Sequence, residues 1–170
     1  MRNKPLLTAI AVAGLNSAVM AASPVIVVGQ SNILPNQANQ QVQVLISGTD
    51  LLAGADLYVQ LDLLSGQCPA ITNVNVLSGT IFASNHTVEK DKFVGTGTMS
   101  NYATIGTTTA SGTVTDSGVL VTLTLNTTGL SAGVFHLNMS DLVNGPSDLV
   151  LENHAALAQL PGAPLLRRAI

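Results

Sequence analysis

The fold of this chain is decided by one stretch of alternating side chains, Leu57-Tyr58-Val59-Gln60-Leu61-Asp62-Leu63. Every second residue is apolar, and the residues between are polar or amphipathic. Successive side chains of a strand point to opposite sides of a sheet, so a period of two indicates a strand with one buried face. The stretch therefore predicts a strand that sends its leucine and valine side chains into the core.

Three further stretches show the same alternation, residues 42–47, 119–125 and 135–139. Their predicted inward side chains are Val42, Val44, Ile46, Val119, Val121, Leu123, Leu125, Phe135, Leu137 and Met139. Leu120 and His136 fall on the outward side, where we expect His136 to be a surface imidazole. Together with residues 57–63, these strands are predicted to frame the core.

The rest of the chain contains weaker strand candidates, at residues 25–28, 74–77, 80–83, 93–98, 99–105 and 149–151. Two stretches are predicted to be exposed loops, the amide-rich residues 36–41 and the Thr-rich and Gly-rich residues 107–118. Many short strands, closely spaced turn residues and few helical patterns predict an all-β fold. We expect an antiparallel β-sandwich or jelly roll.

The N-terminus has the pattern of a secretory signal peptide. Arg2 and Lys4 precede an apolar run over residues 5–15, and small residues follow up to Ala22. The apolar run is too short to span a bilayer. A buried core helix over residues 5–15 is the alternative interpretation. The predicted organisation is a signal peptide at 1–22, one β-sandwich domain at 23–153 and a flexible tail at 154–170.

Charge is scarce in this sequence. Only 9% of the residues are charged, and loss of Arg2 and Lys4 would change the net charge from −3 to −5. No basic patch for nucleic acid would remain. Cys68 is the only cysteine, so no intrachain disulfide forms, and we expect a half-buried thiol rather than pairing between chains.

Residues 52–62 have the sequence Leu-Ala-Gly-Ala-Asp-Leu-Tyr-Val-Gln-Leu-Asp. They resemble the third-strand signature of cohesin modules, with Gly54, Leu57, Val59 and Asp62 on the pattern. Other blocks are similar to the turn and strand that precede this signature and to the paired late strands of the family, at residues 34–44, 117–125 and 132–142. Leu61 and Leu63 stand where the signature has Tyr and Pro.

The resemblance extends over residues 24–152. It implies a nine-stranded jelly roll, an architecture shared with carbohydrate-binding modules. In the family, this fold grips a dockerin module in carbohydrate-associated assemblies. Dockerin-contact residues vary too much between cohesins to be carried over to positions of this sequence.

Residues that would carry chemistry are scattered. The three histidines share no ligand spacing with one another or with Cys68, and no Gly-x-Ser-x-Gly motif occurs. We therefore predict no catalytic residue, metal ligand or cofactor site. Calcium stays open at residues 89–91 and 144–148, which offer oxygen ligands without a complete loop motif.

The candidate binding residues are Tyr58, Gln60 and Asp62, the outward row of the deciding strand. A solvated or loop-covered row is the alternative interpretation. The chain has no Trp and only two Tyr, which argues against a strong glycan lectin, because such proteins stack sugars on exposed aromatic rings.

The predicted function is a non-enzymatic binding module that is secreted, or periplasmic in a Gram-negative cell. Its predicted partner is an extracellular protein, such as a dockerin-bearing one, or a polysaccharide, and we expect no transmembrane anchor. Two other classes stay open. One is a structural protein of the cell surface or biofilm matrix that self-associates through edge strands. The other is a polysaccharide-active enzyme, which would need two carboxylates facing one cleft.

Overall fold

The computed structural model describes residues 24–28, 33–48, 51–65, 67–115, 117–141, 145–146, 148–151 and 168–169. The signal peptide predicted at residues 1–22 lies outside the described residues, as does most of the tail predicted at 154–170. Both stay predictions. Within the described ranges, no helix is long and apolar enough to cross a membrane.

Strands account for nearly all regular structure in the described residues. They are β1 (Val25–Val28), β2 (Gln40–Ser47), β3 (Leu51–Ser65), β4 (Ala70–Asn75), β5 (Lys90–Val94), β6 (Tyr102–Thr108), β7 (Val114–Thr115), β8 (Gly118–Asn126), β9 (Val134–Asn138), β10 (Ser140–Asp141), β11 (Gly145–Pro146), β12 (Asp148–Leu151) and β13 (Arg168–Ala169). Nine of these described strands have four or more residues. One 3-10 turn, Gly97–Met99, lies between β5 and β6.

The strands form two main antiparallel sheets. Sheet A has the order β1-β2-β8-β4, and sheet B has the order β13-β9-β3-β6-β5. The long strand β3 is the centre of sheet B, because β7 and β12 pair with its first half as well. The predicted all-β antiparallel sandwich is confirmed.

The core lies between the two sheets and is one cluster of buried apolar side chains. Its members include Val42, Val44, Ile46, Leu57, Val59, Leu61, Ile105, Val121, Leu123, Leu125, Leu137 and Met139, each exposed by 5% or less. Burial of one such side chain stabilises the fold by roughly 1.5–3 kcal/mol. The alternation in the sequence therefore identified the inward faces of β2, β3, β8 and β9 at these positions.

The start of β8 differs from the prediction at two positions, Val119 and Leu120. Val121 is opposite Val44, and Val119 is opposite Leu45, so Leu120 is an extra residue in β8. Both Leu120 and Val121 are fully buried. Val119 is half-buried and lies opposite the outward Leu45. The predictions that Leu120 points outward and Val119 inward were therefore wrong, because a β-bulge interrupts the period of two at this point.

Several predicted boundaries were also wrong. Residues 80–83, predicted as a strand, form turns in which the Ala83 N–H donates to the Thr80 carbonyl oxygen at 3.1 Å. The predicted loop at 107–118 contains the end of β6 and all of β7, and Thr107 is only 2% exposed. The predicted loop at 36–41 ends earlier, because β2 begins at Gln40.

Candidate partner-binding face

The three predicted contact residues lie in one row on the outward side of sheet B. Leu57, Val59 and Leu61 of β3 are at most 1% exposed, so the residues between them point away from the core. Tyr58 and Gln60 are half-buried, and Asp62 is exposed. Strand β3 therefore presents a phenol, an amide and a carboxylate at successive outward positions.

Aromatic side chains from three strands meet on this outward side. Thr104 of β6 is opposite Tyr58 of β3 and also opposite Phe93 of β5, and Tyr102 is opposite Gln60. The ring centroids of Phe93 and Tyr102 are 5.9 Å apart with a tilt of 47°. We call this surface the aromatic face; it consists of Tyr58, Gln60, Asp62, Phe93 and Tyr102. It holds three of the five aromatic side chains in the sequence.

A tight hairpin places Phe93 next to Tyr102. The chain turns between β5 and β6 through Gly95 and the 3-10 turn, and the Gly95 N–H donates to the Tyr102 carbonyl oxygen at 2.9 Å. A Cβ atom on Gly95 would lie 1.9 Å from the Met99 carbonyl oxygen. Gly97 has a φ of +60°, which glycine adopts at little cost. Glycine at these two positions thus allows the turn that brings the two rings together.

Hydrogen bonds restrict the polar groups of this region. The Asn138 side-chain amide donates to the Asp62 carboxylate. The Tyr58 hydroxyl donates to the Asp56 carboxylate at 3.4 Å. Because these contacts restrict the Asp62 and Tyr58 side chains, little further conformational entropy would be lost if this surface bound a partner.

His136 differs from its prediction. It is opposite Asp62, on the outward side of β9, but it is only 7% exposed and its Nε2 atom has no hydrogen-bond partner. The expectation of a surface imidazole was wrong. Alternation indicates the side of the sheet to which a residue belongs, whereas its exposure depends on how neighbouring side chains pack around it.

The thiol of Cys68 is half-buried, as predicted. Its Sγ donates to the Leu61 carbonyl oxygen at 3.4 Å. Burial, and secondarily the charge of Asp62, raise the pKa of the thiol from its ordinary 9.0 to about 11. The thiol is therefore protonated at neutral pH and is a poor nucleophile.

The described side chains form no group of three or more His, Cys, Asp and Glu residues able to hold a metal ion. Glu89, one of the candidate calcium ligands, pairs with Lys92 at 3.1 Å. The other candidate segment, residues 144–148, lies partly outside the described residues.

Comparison with known proteins identifies the type of fold on which this surface lies. No protein-family model and no curated protein sequence matches the chain. Among solved structures, it is similar to a non-cellulosomal cohesin from the hyperthermophilic archaeon Archaeoglobus fulgidus, with a TM-score of 0.55 and 16% identity over 81% of this chain and 84% of that one. The fold is cohesin-like. A cohesin module from a Clostridium perfringens family 33 glycoside hydrolase also aligns, with a TM-score of 0.42 and 9% identity over 86% and 93% of the two chains.

The cohesin-like fold confirms the resemblance that the sequence blocks indicated and the nine-stranded jelly roll that it implied. Phe93 and Tyr102, which belong to the aromatic face, and Asn138, which adjoins it, were not among the predicted contact residues. The signal for the two aromatic residues was present, because they flank a short Gly-containing stretch that is typical of a hairpin. Asn138 lies between the inward Leu137 and Met139 in the sequence, but only the register shows that it adjoins Gln60 and Asp62.

Proposed function

We propose that this chain is a secreted, non-catalytic binding module with a cohesin-like fold, and that it holds an extracellular protein partner on the aromatic face. The observation that carries this proposal is the collection of Tyr58, Phe93 and Tyr102 on one outward sheet surface. Aromatic side chains are enriched at the centres of protein interfaces, where they supply most of the binding energy.

The composition of the face favours a protein partner over a polysaccharide. Phe93 is 46% exposed and packs at an angle to Tyr102, whereas sugar rings stack on broad, exposed rings such as Trp, which this chain lacks. Gln60 and Asp62 supply an amide and a carboxylate that suit peptide N–H groups and basic side chains. The face therefore combines apolar anchors with the hydrogen-bonding groups that fix register in a protein complex.

Two further observations support an extracellular location and the proposed class of partner. The basic, apolar and small-residue pattern of residues 1–22 supports export. The cohesin-like fold supports a dockerin-bearing protein as the partner, in an assembly associated with carbohydrate.

The test is capture of secreted proteins by the immobilised exported chain, followed by affinity measurement with the captured partner. Tyr58→Ala and Phe93→Ala are expected to weaken binding by about 30-fold each, which corresponds to about 2 kcal/mol for an aromatic anchor. Gln43→Ala, an exposed substitution in β2 of sheet A, is the matched control and should bind as the unsubstituted chain does.

Thermal unfolding of each variant is the control for folding, and each variant should unfold in a single cooperative transition like that of the unsubstituted chain. Equal capture by the unsubstituted chain and both aromatic variants would refute the proposal. So would retention of a polysaccharide but no protein, because the aromatic face would then serve the other class of ligand.

A further inference from the structure

The edges of the two sheets are protected to different degrees. An edge strand exposes unpaired backbone N–H and C=O groups to which a strand from another chain can add, and proteins block this with charged side chains, bulges or covering segments. In the described part of the chain, the end strands are β1 and β4 in sheet A and β5 and β13 in sheet B. Strand β13 has only two residues, one of which is Arg168, so it is both short and charged.

Two of the other edges carry protective features. Strand β5 contains Lys90, Asp91 and Lys92, and its register with β6 shifts between Lys90 and Phe93. Strand β4 has a register shift between Ile71 and Asn73. In addition, the Ile71 N–H donates to the Ser100 carbonyl oxygen at 2.7 Å. Charge and a bulge therefore oppose strand addition at β5, and a bulge and backbone pairing oppose it at β4.

Strand β1 shows none of these features in the residues described. Its sequence is Val-Ile-Val-Val, and its register with β2 is regular over all four residues. Val25 and Val27 point outward and are 55% and 43% exposed. Leu45 of β2, opposite Val27, is 38% exposed. The edge is therefore flanked by an apolar stripe, which we call the β1 stripe: Val25, Val27 and Leu45.

Charge is absent from the whole sheet to which β1 belongs. The sequences of β1, β2, β8 and β4 contain no Asp, Glu, Lys or Arg. Two copies of this sheet therefore approach edge to edge without like charges facing each other, although the chain as a whole is negative. A partner of opposite charge would find nothing on these strands to recognise.

We infer that β1 is the contact through which two copies of this chain pair. In an antiparallel pairing about a twofold axis, Ile26 lies opposite the same residue of the second copy, and Val25 lies opposite Val27. This register keeps each outward valine beside an outward valine and each buried residue beside a buried one. The sequence of β1 is thus self-complementary, and an eight-stranded sheet results from two four-stranded ones.

The pairing is limited to the length of β1. Pro24 directly precedes the strand and has no N–H to donate. The dimer therefore rests on four residues per copy and the β1 stripe. We expect it to be reversible, with a population that depends on concentration. The dimer contact lies in sheet A, whereas the partner proposed above binds on sheet B. Failure of one proposal therefore leaves the other unaffected.

The first test is sedimentation equilibrium of the exported chain over a wide range of concentration. The unsubstituted chain should show a monomer–dimer equilibrium. Val27→Lys should weaken it by about tenfold or more, because a charged side chain on an edge strand, here beside the outward Val25 of the second copy, opposes strand addition. Val88→Lys is the control, since Val88 is 71% exposed and lies before β5. A chain that is monomeric at every concentration would overturn the inference, as would equal dimerisation of both variants.

The second test examines the register. Val25→Glu in one chain and Val27→Lys in another would place the carboxylate of the first opposite the ammonium group of the second. A mixture of these two variants should form a heterodimer more tightly than either variant pairs with itself. Failure of the mixture to exceed the two separate variants would overturn the pairing of Val25 with Val27.

Discussion

Two buried threonines in this fold have opposite hydrogen-bonding states. Thr127 is fully buried, and its hydroxyl lies 2.7 and 2.9 Å from the carbonyl oxygens of Leu34 and Gln37, one of which takes its proton. The Thr127 Oγ1 atom also accepts hydrogen bonds from the Gln37 N–H and from the Gln40 side-chain amide, each at 3.0 Å. Thr107 is 2% exposed, and its Oγ1 atom has no partner. The Thr127 hydroxyl links the segment before β2 to the end of β8 by hydrogen bonds. The Thr107 hydroxyl is shielded from water and has no hydrogen bond that compensates for its burial.

The same substitution should therefore change stability in opposite directions at these two positions. Thr107→Val removes a buried, unsatisfied hydroxyl without changing side-chain volume, and we expect the free energy of unfolding to rise by about 1 kcal/mol. Thr127→Val leaves carbonyl and N–H groups without their partner, and we expect a loss of about 1–3 kcal/mol. Denaturant unfolding of the two variants measures both changes. A destabilised Thr107→Val variant would show that the hydroxyl has a partner in solution.

At the scale of strands, the sequence predicted those whose alternation is strict and failed where local geometry interrupts it. Strand β2 and the second half of β3 were found because an apolar residue recurs at every second position over residues 42–46 and 57–63. Leu120 was misplaced, since a bulge adds a residue that no periodic pattern shows. Residues 80–83 were predicted as a strand because the β-branched Thr80 and Ile81 precede the apolar Phe82. The backbone turns there, while Phe82 is fully buried.

The candidate site was partly predictable for the same reason. Tyr58, Gln60 and Asp62 are neighbours along one strand, so the sequence alone places them in a row. Phe93 and Tyr102 come from two strands whose predicted limits were wrong, because the hairpin closes through Gly95 rather than at the expected boundary. Residues joined only by register between strands need the structure to be brought together.

The bulge in β8 gives a direct test of packing. Leu120→Ala is expected to cost about 2–5 kcal/mol, as do other substitutions that leave a cavity in a core, because Leu120 is fully buried. Val119→Ala, at the adjacent half-buried position, is the control and should cost about 1 kcal/mol or less. The midpoints of chemical unfolding, at equal slope, give the comparison. A larger loss for Val119→Ala than for Leu120→Ala would mean that the simple alternation holds and the bulge is absent.

At the scale of the whole molecule, charge is divided unequally between the two sheets. Asp56 and Asp62 lie in β3, and Lys90, Asp91 and Lys92 lie in β5, both of sheet B. The four strands of sheet A have no charged residue. The proposed partner on the aromatic face would therefore meet charge, whereas a second copy at β1 would meet only neutral side chains. The proposed partner contact and the proposed dimer contact thus differ in position and also in the role of charge.

Salt should therefore affect the two contacts differently. Between 0.1 M and 1 M NaCl the screening length falls from about 10 Å to about 3 Å. The dimer should hold or strengthen over this range, because its contact is apolar and screening reduces repulsion between two negative chains. Binding of the proposed protein partner should weaken several-fold, since screening reduces the attraction of Asp62 for complementary charge. Sedimentation and partner titration at both salt concentrations measure the two equilibria. Asp62→Asn should lessen the salt dependence of partner binding and leave that of the dimer unchanged, and an equal loss of both contacts in salt would contradict this assignment of charge.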